Sequence, residues 1–176
     1  MFNDYHFVTR WRFLAEVREV SDILQDPLSL PRWWPSVYLE VREIEPGGPN
    51  RIGRVIELFT KGFLPYTLLW RFRISENEPP HRFVLEASGD FVGRGIWTLR
   101  QEGAYAEVTY DWRIRADKPL LQLFSFVLKP IFAANHRWAM ARGEESLSLE
   151  LRRRRGEAGV PAPPQPTFRR PVIIEP

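Results

Sequence analysis

The sequence predicts an α+β fold in which a curved antiparallel sheet wraps around one long C-terminal helix. Most segments before Lys118 alternate apolar and polar residues, and short turns connect them. Because short turns join antiparallel strands, these segments predict an antiparallel sheet. The segment from Lys118 to Leu151 instead has helical periodicity. Spacings of four, three, four and four put five of its residues on one stripe of a helix. They are His136, Met140, Gly143, Leu147 and Leu151.

The first strand and two short helices are predicted at the start of the chain. Aromatic residues alternate with other residues from Tyr5 to Phe13, which indicates a strand with one buried face. Glu16 to Gln25 then has helical periodicity and ends before a proline, and Leu28 to Pro35 contains a second short helical segment. Of its adjacent tryptophans, Trp33 and Trp34, we expect one in the core and the other near a cavity mouth or at the surface.

Six further strands are predicted, which gives a sheet of about seven strands. Turn sequences such as EPGGPN and ENEPP separate them. Their expected bounds are Val37 to Ile44, Ile52 to Thr60, Tyr66 to Ile74, Arg82 to Ala87, Gly93 to Arg100 and Ala106 to Arg115. In the second of these segments Arg54 is in phase with apolar residues. We expect a bulge that turns Arg54 outward, whereas an inward Arg54 would bind a carboxylate or an enolate.

The long helix contains Pro130, which removes a backbone hydrogen bond and clashes with the preceding turn, so we expect a kink or a break there. Its first half is apolar nearly all round and its second half is amphipathic. Beyond Leu151, residues 152–176 form a basic, proline-rich tail that we expect to be mostly extended or disordered. The predicted ligand-binding domain is therefore 1–151.

Composition is typical of one globular domain with a large core or an aromatic-lined cavity, since 44% of the residues are hydrophobic and 14% are aromatic. There is no cysteine, which excludes disulfides, thiolate metal sites and cysteine nucleophiles. The first residues lack the pattern of a secretory signal, so we expect a cytoplasmic protein. The apolar run from Leu120 to Ala134 is too short to span a bilayer.

The net charge is +3, and the arginines Arg152 to Arg155 carry much of the local excess. They precede the proline-rich tail, and a nucleic-acid footprint would cover a folded face, so we interpret them as a solvated helix end. We therefore expect no nucleic-acid partner. The three histidines form no metal-binding motif, and the glycines of GDFVGRG are interpreted as turn and strand residues. No metal and no cofactor are expected.

The order of elements from Tyr5 to Leu151 resembles the START-like, Bet v 1-like superfamily, also called SRPBCC, which has the helix-grip fold. The segments LPRWWP, LPYTLLWRFRI, FVLEASGDFVGRGIWTL, TYDWRI and NHRWAMARGEESL are similar to its polyketide cyclase/dehydrase-like members. The resemblance implies a hydrophobic cavity between sheet and helix that binds lipids, polyketides, quinones or other ring compounds. Some relatives are cyclases or hydrolases and many are carriers, so the resemblance leaves the function open.

The candidate catalytic residues are His136 and Asn135, on the inward part of the helix. A histidine facing a cavity polarises a carbonyl or accepts a proton, and Asn135 or a tyrosine would hold the developing oxyanion. The alternative is a structural histidine bonded to a strand residue such as Glu57 or Tyr110. Ligand-binding candidates are the inward aromatic residues and the helix residues that face them. They are Tyr66, Trp70, Trp97, Tyr110, Trp112, Phe124, Leu128, Phe132 and Met140.

Three functions follow as hypotheses. The first is a protein that binds a hydrophobic, ring-containing small molecule. The second is a cyclase or dehydratase that uses His136 as acid and base. The third is a peripheral membrane or protein-interaction module that uses the apolar half-helix from Leu120 to Phe132. The sequence does not determine the oligomeric state.

Overall fold

The computed structural model describes residues 4–116 and 125–168, and for residues 116 and 125–128 it describes the backbone alone. Seven strands form one curved antiparallel sheet in the order β1-β7-β6-β5-β4-β3-β2. They are β1 (Asp4–Leu14), β2 (Tyr38–Glu45), β3 (Val55–Lys61), β4 (Thr67–Glu78), β5 (Arg82–Gly89), β6 (Phe91–Glu102) and β7 (Tyr105–Ala116). Each neighbouring pair is antiparallel, as the short turns predicted.

Two short helices follow the first strand, α1 (Val17–Leu24) and α2 (Leu30–Trp33), with a 3₁₀ turn at Pro27–Ser29 between them. The N-terminus of α1 is capped, because the backbone N–H of Glu16 donates to the Glu19 carboxylate at 2.8 Å. A second 3₁₀ turn, Pro49–Arg51, lies in the connection between β2 and β3. The α+β architecture and its order of elements are thus confirmed.

The long helix α3 (Ser125–Arg154) lies against the sheet. Pro130 lies inside it without ending it, so of the two expectations a break is wrong. The helix ends at Arg154 rather than at Leu151, and its predicted part from Lys118 to Phe124 lies outside the described residues. Within the part of the chain that the structure describes, no helix is long and apolar enough to cross a membrane.

The predicted stripe of α3 faces the core. Met140, Leu147 and Leu151 are buried there among the inward aromatic residues of the sheet. Gly143 has a packing role, because a Cβ atom on it would lie 2.3 Å from Cζ2 of Trp34. Trp33 and Trp34 are both buried, at 0% and 2% exposure. Trp33 packs in the core, and Trp34 also borders the cavity described below.

Arg54 corrects one expectation from the sequence. It is not turned outward, because only 7% of the residue is exposed. Its guanidinium donates through Nε to Oε2 of Glu43 on the neighbouring strand at 2.6 Å, and its second amino group lies 2.5 Å from the same oxygen. A buried cation is tolerated where a carboxylate is paired with it. Arg54 is not among the cavity-lining residues, so it is placed for a structural role rather than for binding a ligand.

The basic end of α3 is engaged within the chain. The side chain of Glu150 is fully buried and accepts hydrogen bonds from Arg32 on α2, at 2.6 and 2.9 Å, and from Arg154, at 2.9 Å. Arg152 pairs with Glu157 and Arg155 pairs with Glu19. The contacts of Glu150 with Arg32 and of Arg155 with Glu19 join the C-terminal end of α3 to the short helices. The arginines from Arg152 to Arg155, which we expected to be a solvated helix end, are thus paired within the chain.

The segment after α3 has neither helix nor strand from residue 157 to residue 168. It nevertheless contacts the domain, because Arg153 donates to the carbonyl of Pro161 and Thr167 bonds to the connection between β3 and β4. Residues 169–176 lie outside the described residues. The boundary between a domain at 1–151 and a separate tail stays a prediction.

Candidate functional site

A cavity of about 150 Å³ lies between α3 and one end of the sheet. Its wall combines aromatic, aliphatic and a few polar side chains. The lining residues are Tyr5, Phe7, Trp34, Val37, Tyr38, Thr60, Lys61, Gly62, Tyr66, Leu68, Trp70, Phe91, Tyr110, Trp112, Ile114, Phe132, Asn135, His136, Ala139 and Met140. Half of these residues carry an aromatic ring, which makes the cavity predominantly apolar.

Strand register places the cavity at this end. The first residues of β1, β4 and β6 line it together with the last residues of β3 and β7. In an antiparallel sheet these ends meet at one edge, and the register pairs Tyr5 with Ile114 and Phe7 with Trp112. Residues that share the inner face but lie farther along the strands pack into the core instead.

The aromatic wall is continuous across three strands. Trp70 and Trp112 lie with ring centroids 5.7 Å apart, and Phe91 contacts both of them. The Trp70 indole donates to the Thr60 hydroxyl at 3.0 Å, which satisfies its one polar atom and fixes the ring. The cavity therefore presents packed ring faces and edges to a ligand.

His136 lies on the helix side of the cavity. Its imidazole stacks on Phe7, with centroids 4.2 Å apart and planes inclined by 17°. Its Nε2 is buried and has no hydrogen-bond partner among the described residues. Burial, and to a lesser extent the charge of Arg137, lower the pKa of His136 to about 4. Among the described residues, no hydrogen bond joins His136 to Glu57 or Tyr110. These two residues, which we considered from the sequence, are therefore not its partners.

Asn135 holds the connection between β3 and β4 against α3. Its Oδ1 accepts from the backbone N–H of Phe63 at 2.8 Å and of Leu64 at 3.4 Å. Gly62 allows this approach, because a Cβ atom there would lie 2.0 Å from Asn135 Oδ1. The side chain thus shapes the cavity wall, and its carbonyl oxygen is already occupied by the backbone.

Tyr5 and Tyr66 both contact Phe132. Both tyrosine rings contact the Phe132 ring edge to face, with centroid distances of 6.1 Å and 6.2 Å. Burial raises the pKa of both hydroxyls, and for Tyr66 the neighbouring Tyr5 adds to the effect. The Tyr5 hydroxyl is fully buried and has no hydrogen-bond partner among the described residues. Both tyrosines are therefore neutral at physiological pH.

Lys61 is the one charged side chain among the described lining residues. It is only 2% exposed, and burial lowers its pKa. Its ammonium donates to the Thr167 hydroxyl at 2.5 Å and lies 5.0 Å from the centroid of the Phe168 ring. Thr167 in turn donates to the carbonyl of Phe63 at 3.1 Å. Thr167, in the segment after α3, therefore provides a hydrogen-bond acceptor for the buried ammonium of Lys61.

The structure brings most of the candidate residues together. Asn135, His136 and six of the ligand-binding candidates line the cavity, the six being Tyr66, Trp70, Tyr110, Trp112, Phe132 and Met140. Trp97 does not line it, because its ring is stacked on Tyr110 at 4.0 Å and on Phe83 at 5.8 Å within the core. Phe124 and the side chain of Leu128 lie outside the described residues.

Several lining residues were missed as site residues, notably Tyr5, Phe7, Trp34 and Lys61. Tyr5 and Phe7 were expected on the inner face, and pairing β1 with β7 from the sequence would have placed them opposite Ile114 and Trp112. Lys61 had no signal, because its burial depends on residues more than a hundred positions away. Of the apolar half-helix from Leu120 to Phe132, the described Phe132 side chain lines the cavity, and the part before residue 129 lies outside the described side chains.

No protein-family model and no curated protein sequence matches the chain. Solved structures do match it in fold. The Zhui aromatase/cyclase from a Streptomyces species has 17% sequence identity and a TM-score of 0.68, over 89% of this chain and 98% of that chain. The protein TTHA0849 from Thermus thermophilus has 16% identity and a TM-score of 0.67, over 88% and 99%. Ara h 8.0201 has 10% identity and a TM-score of 0.50, over 78% and 99%.

Identities this low establish architecture alone. The backbone of this chain, with its seven-stranded sheet, two short helices after β1 and one long helix, superposes on the first two of these neighbours over most of both chains. The chain therefore has the helix-grip fold of the START-like and Bet v 1-like proteins.

Proposed function

We propose that this chain binds a small, hydrophobic, ring-containing molecule in the cavity between α3 and the sheet. The observation that carries the proposal is the wall itself, half of whose residues are aromatic. An apolar ring gains roughly 25 cal/mol for each Å² that it removes from water, and stacking geometry adds to this. One fold neighbour is called an aromatase/cyclase, which is consistent with a ring compound as ligand.

The cavity volume limits the size of the ligand, whether it is a lipid, a polyketide or a quinone. A volume of about 150 Å³ accommodates a molecule of roughly the size of benzene. A ring of this size fits the cavity as it stands, whereas a fused-ring polyketide or a lipid tail requires the wall to move. In the connection between β3 and β4, the backbone of Phe63 hydrogen-bonds to Asn135 and Thr167, and the rings of Phe63 and Tyr66 pack on Trp138 and Phe132.

Filling the cavity tests the proposal. Leu68 lines the cavity, whereas the next residue on β4, Leu69, is 51% exposed on the opposite face. We expect Leu68→Trp to weaken the binding of toluene and indole by about tenfold or more, because the added ring occupies the space they need. Leu69→Trp adds the same side chain outside the cavity and is expected to leave binding unchanged.

Isothermal titration calorimetry on the wild type and on both variants gives the dissociation constants, and circular dichroism checks that each variant is folded. Equal affinities in Leu68→Trp and Leu69→Trp would show that these molecules bind elsewhere. No measurable binding of either molecule to the wild type would refute the proposed function. Native mass spectrometry of the protein from its own host, followed by extraction, identifies what co-purifies.

The second candidate function is a cyclase or dehydratase, and His136 favours it, because this residue lines the cavity and its buried Nε2 has no partner among the described residues. With a pKa of about 4, His136 is neutral and a weak base at neutral pH. This favours ligand binding over proton transfer as the function of the cavity. We expect His136→Ala to retain ligand binding. An enzyme would keep binding and lose turnover on a polyketide-like diketone in the same variant.

A further inference from the structure

Two residues that line the cavity each carry a buried polar atom with no hydrogen-bond partner among the described residues: Tyr5 through its hydroxyl and His136 through Nε2. Tyr5 is 6% exposed, and its hydroxyl oxygen is inaccessible to solvent. A buried polar group that loses its hydrogen bonds to water without replacement destabilises the folded state, so most such groups have partners. At a cavity wall, a bound molecule supplies the partner.

The rings of Tyr5 and His136 lie in one part of the cavity. The Phe7 ring stacks on the imidazole of His136 at 4.2 Å and on the Tyr5 ring at 5.9 Å, so it lies beside both. Phe132, one helical turn before His136, contacts Tyr5 and Tyr66. We call Tyr5, Tyr66 and His136 the polar end of the cavity. The polar groups there surround apolar rings, which suits a ligand that is apolar except for one oxygen.

The charges near the polar end favour a neutral ligand. The one charged lining residue, Lys61, already donates to Thr167. Lys129 lies 5.6 Å from the centroid of the Tyr5 ring, but it is exposed and is not part of the cavity wall. A carboxylate at the polar end would lose its water without gaining a buried, paired cation, which disfavours binding. A hydroxyl or carbonyl group loses much less.

We infer that the ligand of this cavity carries a neutral ring oxygen substituent, a hydroxyl or a carbonyl, which hydrogen-bonds to the Tyr5 hydroxyl at the polar end. A ligand hydroxyl suits this end best, because it accepts from Tyr5 and donates to a neutral imidazole nitrogen, whereas a carbonyl only accepts. The ligand class is therefore phenols and ring ketones rather than aromatic acids. This inference rests on the proposed binding of a ring compound in the cavity.

Three probes separate the inference from the proposed function. Toluene, p-cresol and 4-methylbenzoate share one methyl-substituted ring and differ in a hydrogen, a hydroxyl or a carboxylate at the same position. With the wild type we expect p-cresol to bind about tenfold more tightly than toluene, the size of one well-formed buried hydrogen bond. We expect 4-methylbenzoate to bind more weakly than toluene.

Tyr5→Phe removes the hydroxyl and keeps the ring. In this variant we expect the affinities of p-cresol and toluene to become equal within about twofold while toluene binding is retained. Tyr105→Phe is the matched control, because Tyr105 is 38% exposed and lies outside the cavity, and it should keep the wild-type ratio. Calorimetric titrations at pH 7 provide the dissociation constants, and thermal unfolding verifies the fold of both variants.

The outcomes are distinct. Toluene and p-cresol binding equally to the wild type, or a p-cresol preference that survives in Tyr5→Phe, overturns the inference and leaves the proposed function standing. Preferred binding of 4-methylbenzoate overturns it as well, and then assigns the oxygen site to the cation of Lys61. If none of the three molecules binds, the proposed function fails and the inference fails with it.

Discussion

The ring of Phe7 on β1 lies flat against the imidazole of His136 on α3, with ring centroids 4.2 Å apart. The contact joins the first strand to the long helix across the cavity and shields the imidazole from water. Burial disfavours the charged imidazolium, and the positive charge of Arg137 adds to this, so the pKa of His136 falls to about 4. The histidine is therefore a neutral part of the cavity wall at physiological pH.

Acid should destabilise the fold through His136 between pH 6.5 and pH 4. The unfolded imidazole takes up a proton near its ordinary pKa of 6.5, whereas the folded one stays neutral down to about 4. The unfolded state binds more protons in this window, so the free energy of unfolding decreases as the pH falls, by up to about 3 kcal/mol. Urea unfolding across this range measures the effect. We expect His136→Leu to lose most of this pH dependence; an unchanged slope would contradict the assignment.

Gly143 should resist substitution by alanine although it lies inside a helix. A Cβ atom there would lie 2.3 Å from Trp34 Cζ2, and the Trp34 ring is buried at 2% exposure and cannot turn away freely. We expect Gly143→Ala to destabilise the fold by about 2 kcal/mol, because overpacking outweighs the gain of about 1 kcal/mol in helix propensity. Chemical denaturation measures this change.

Two variants control the Gly143 experiment. Ala141→Gly, at an exposed position of the same helix, measures the propensity difference alone. Trp34→Phe provides a smaller ring opposite Gly143, so adding Gly143→Ala to it should cost less than adding it to the wild type. A Gly143→Ala variant more stable than the wild type would mean that Trp34 does not restrict this position.

Alternation in the sequence predicted the inner face for the aromatic residues of the strands, because alternate strand residues point to opposite faces. Trp70, Trp97 and Trp112 all point inward as expected, and each is buried. Alternation does not report the position along the sheet where a cavity forms. That position depends on register, which pairs Trp97 with Tyr110 and places it in the packed core beyond the lining. Trp97 was therefore assigned to the correct face and is absent from the cavity wall.

The sequence also did not reveal which polar side chains pair with each other across the fold. Arg54 was expected outside, since a lone arginine on an inner face is unfavourable, and Glu43 across the hairpin removes that penalty. Lys61 is buried by Thr167 and Phe168, which belong to a segment expected to be extended or disordered. Neither pairing has a local pattern, because each depends on which strands and segments meet in the folded chain.

Glu150 should contribute stability that is lost only at low pH. Its burial raises its pKa, but the hydrogen bonds and charges of Arg32 and Arg154 outweigh this and lower the pKa below its ordinary value of 4.5. A carboxyl group with a lowered folded pKa stabilises the fold above its unfolded pKa and loses that effect as the pH falls through the folded one. The loss therefore begins near pH 4.5, below most of the His136 window.

Glu150→Gln tests this account. It removes the charge that Arg32 and Arg154 share, and we expect a loss of about 2 to 3 kcal/mol at pH 7, at the lower end of values for a buried ion pair because Arg32 is largely exposed. As the pH falls from 4.5 through the lowered folded pKa, the difference in stability between the variant and the wild type should shrink. Glu157→Gln is the control, since Glu157 pairs with Arg152 at the surface and should change stability little. Equal effects of the two substitutions would contradict a special role for Glu150.

The hydroxyl of Thr167 should hold the segment after α3 against the cavity wall. It accepts from the buried ammonium of Lys61 at 2.5 Å and donates to the Phe63 carbonyl at 3.1 Å. Thr167→Val keeps the shape and removes both bonds, so we expect a loss of about 1.5 to 3 kcal/mol in urea unfolding, as for a hydrogen bond to a charged group. Thr167→Ser keeps the hydroxyl and should behave like the wild type. Because the loss arises from the unpaired ammonium, Thr167→Val should cost much less when Lys61 is replaced by Met, and a cost that persists in that background would place the effect elsewhere.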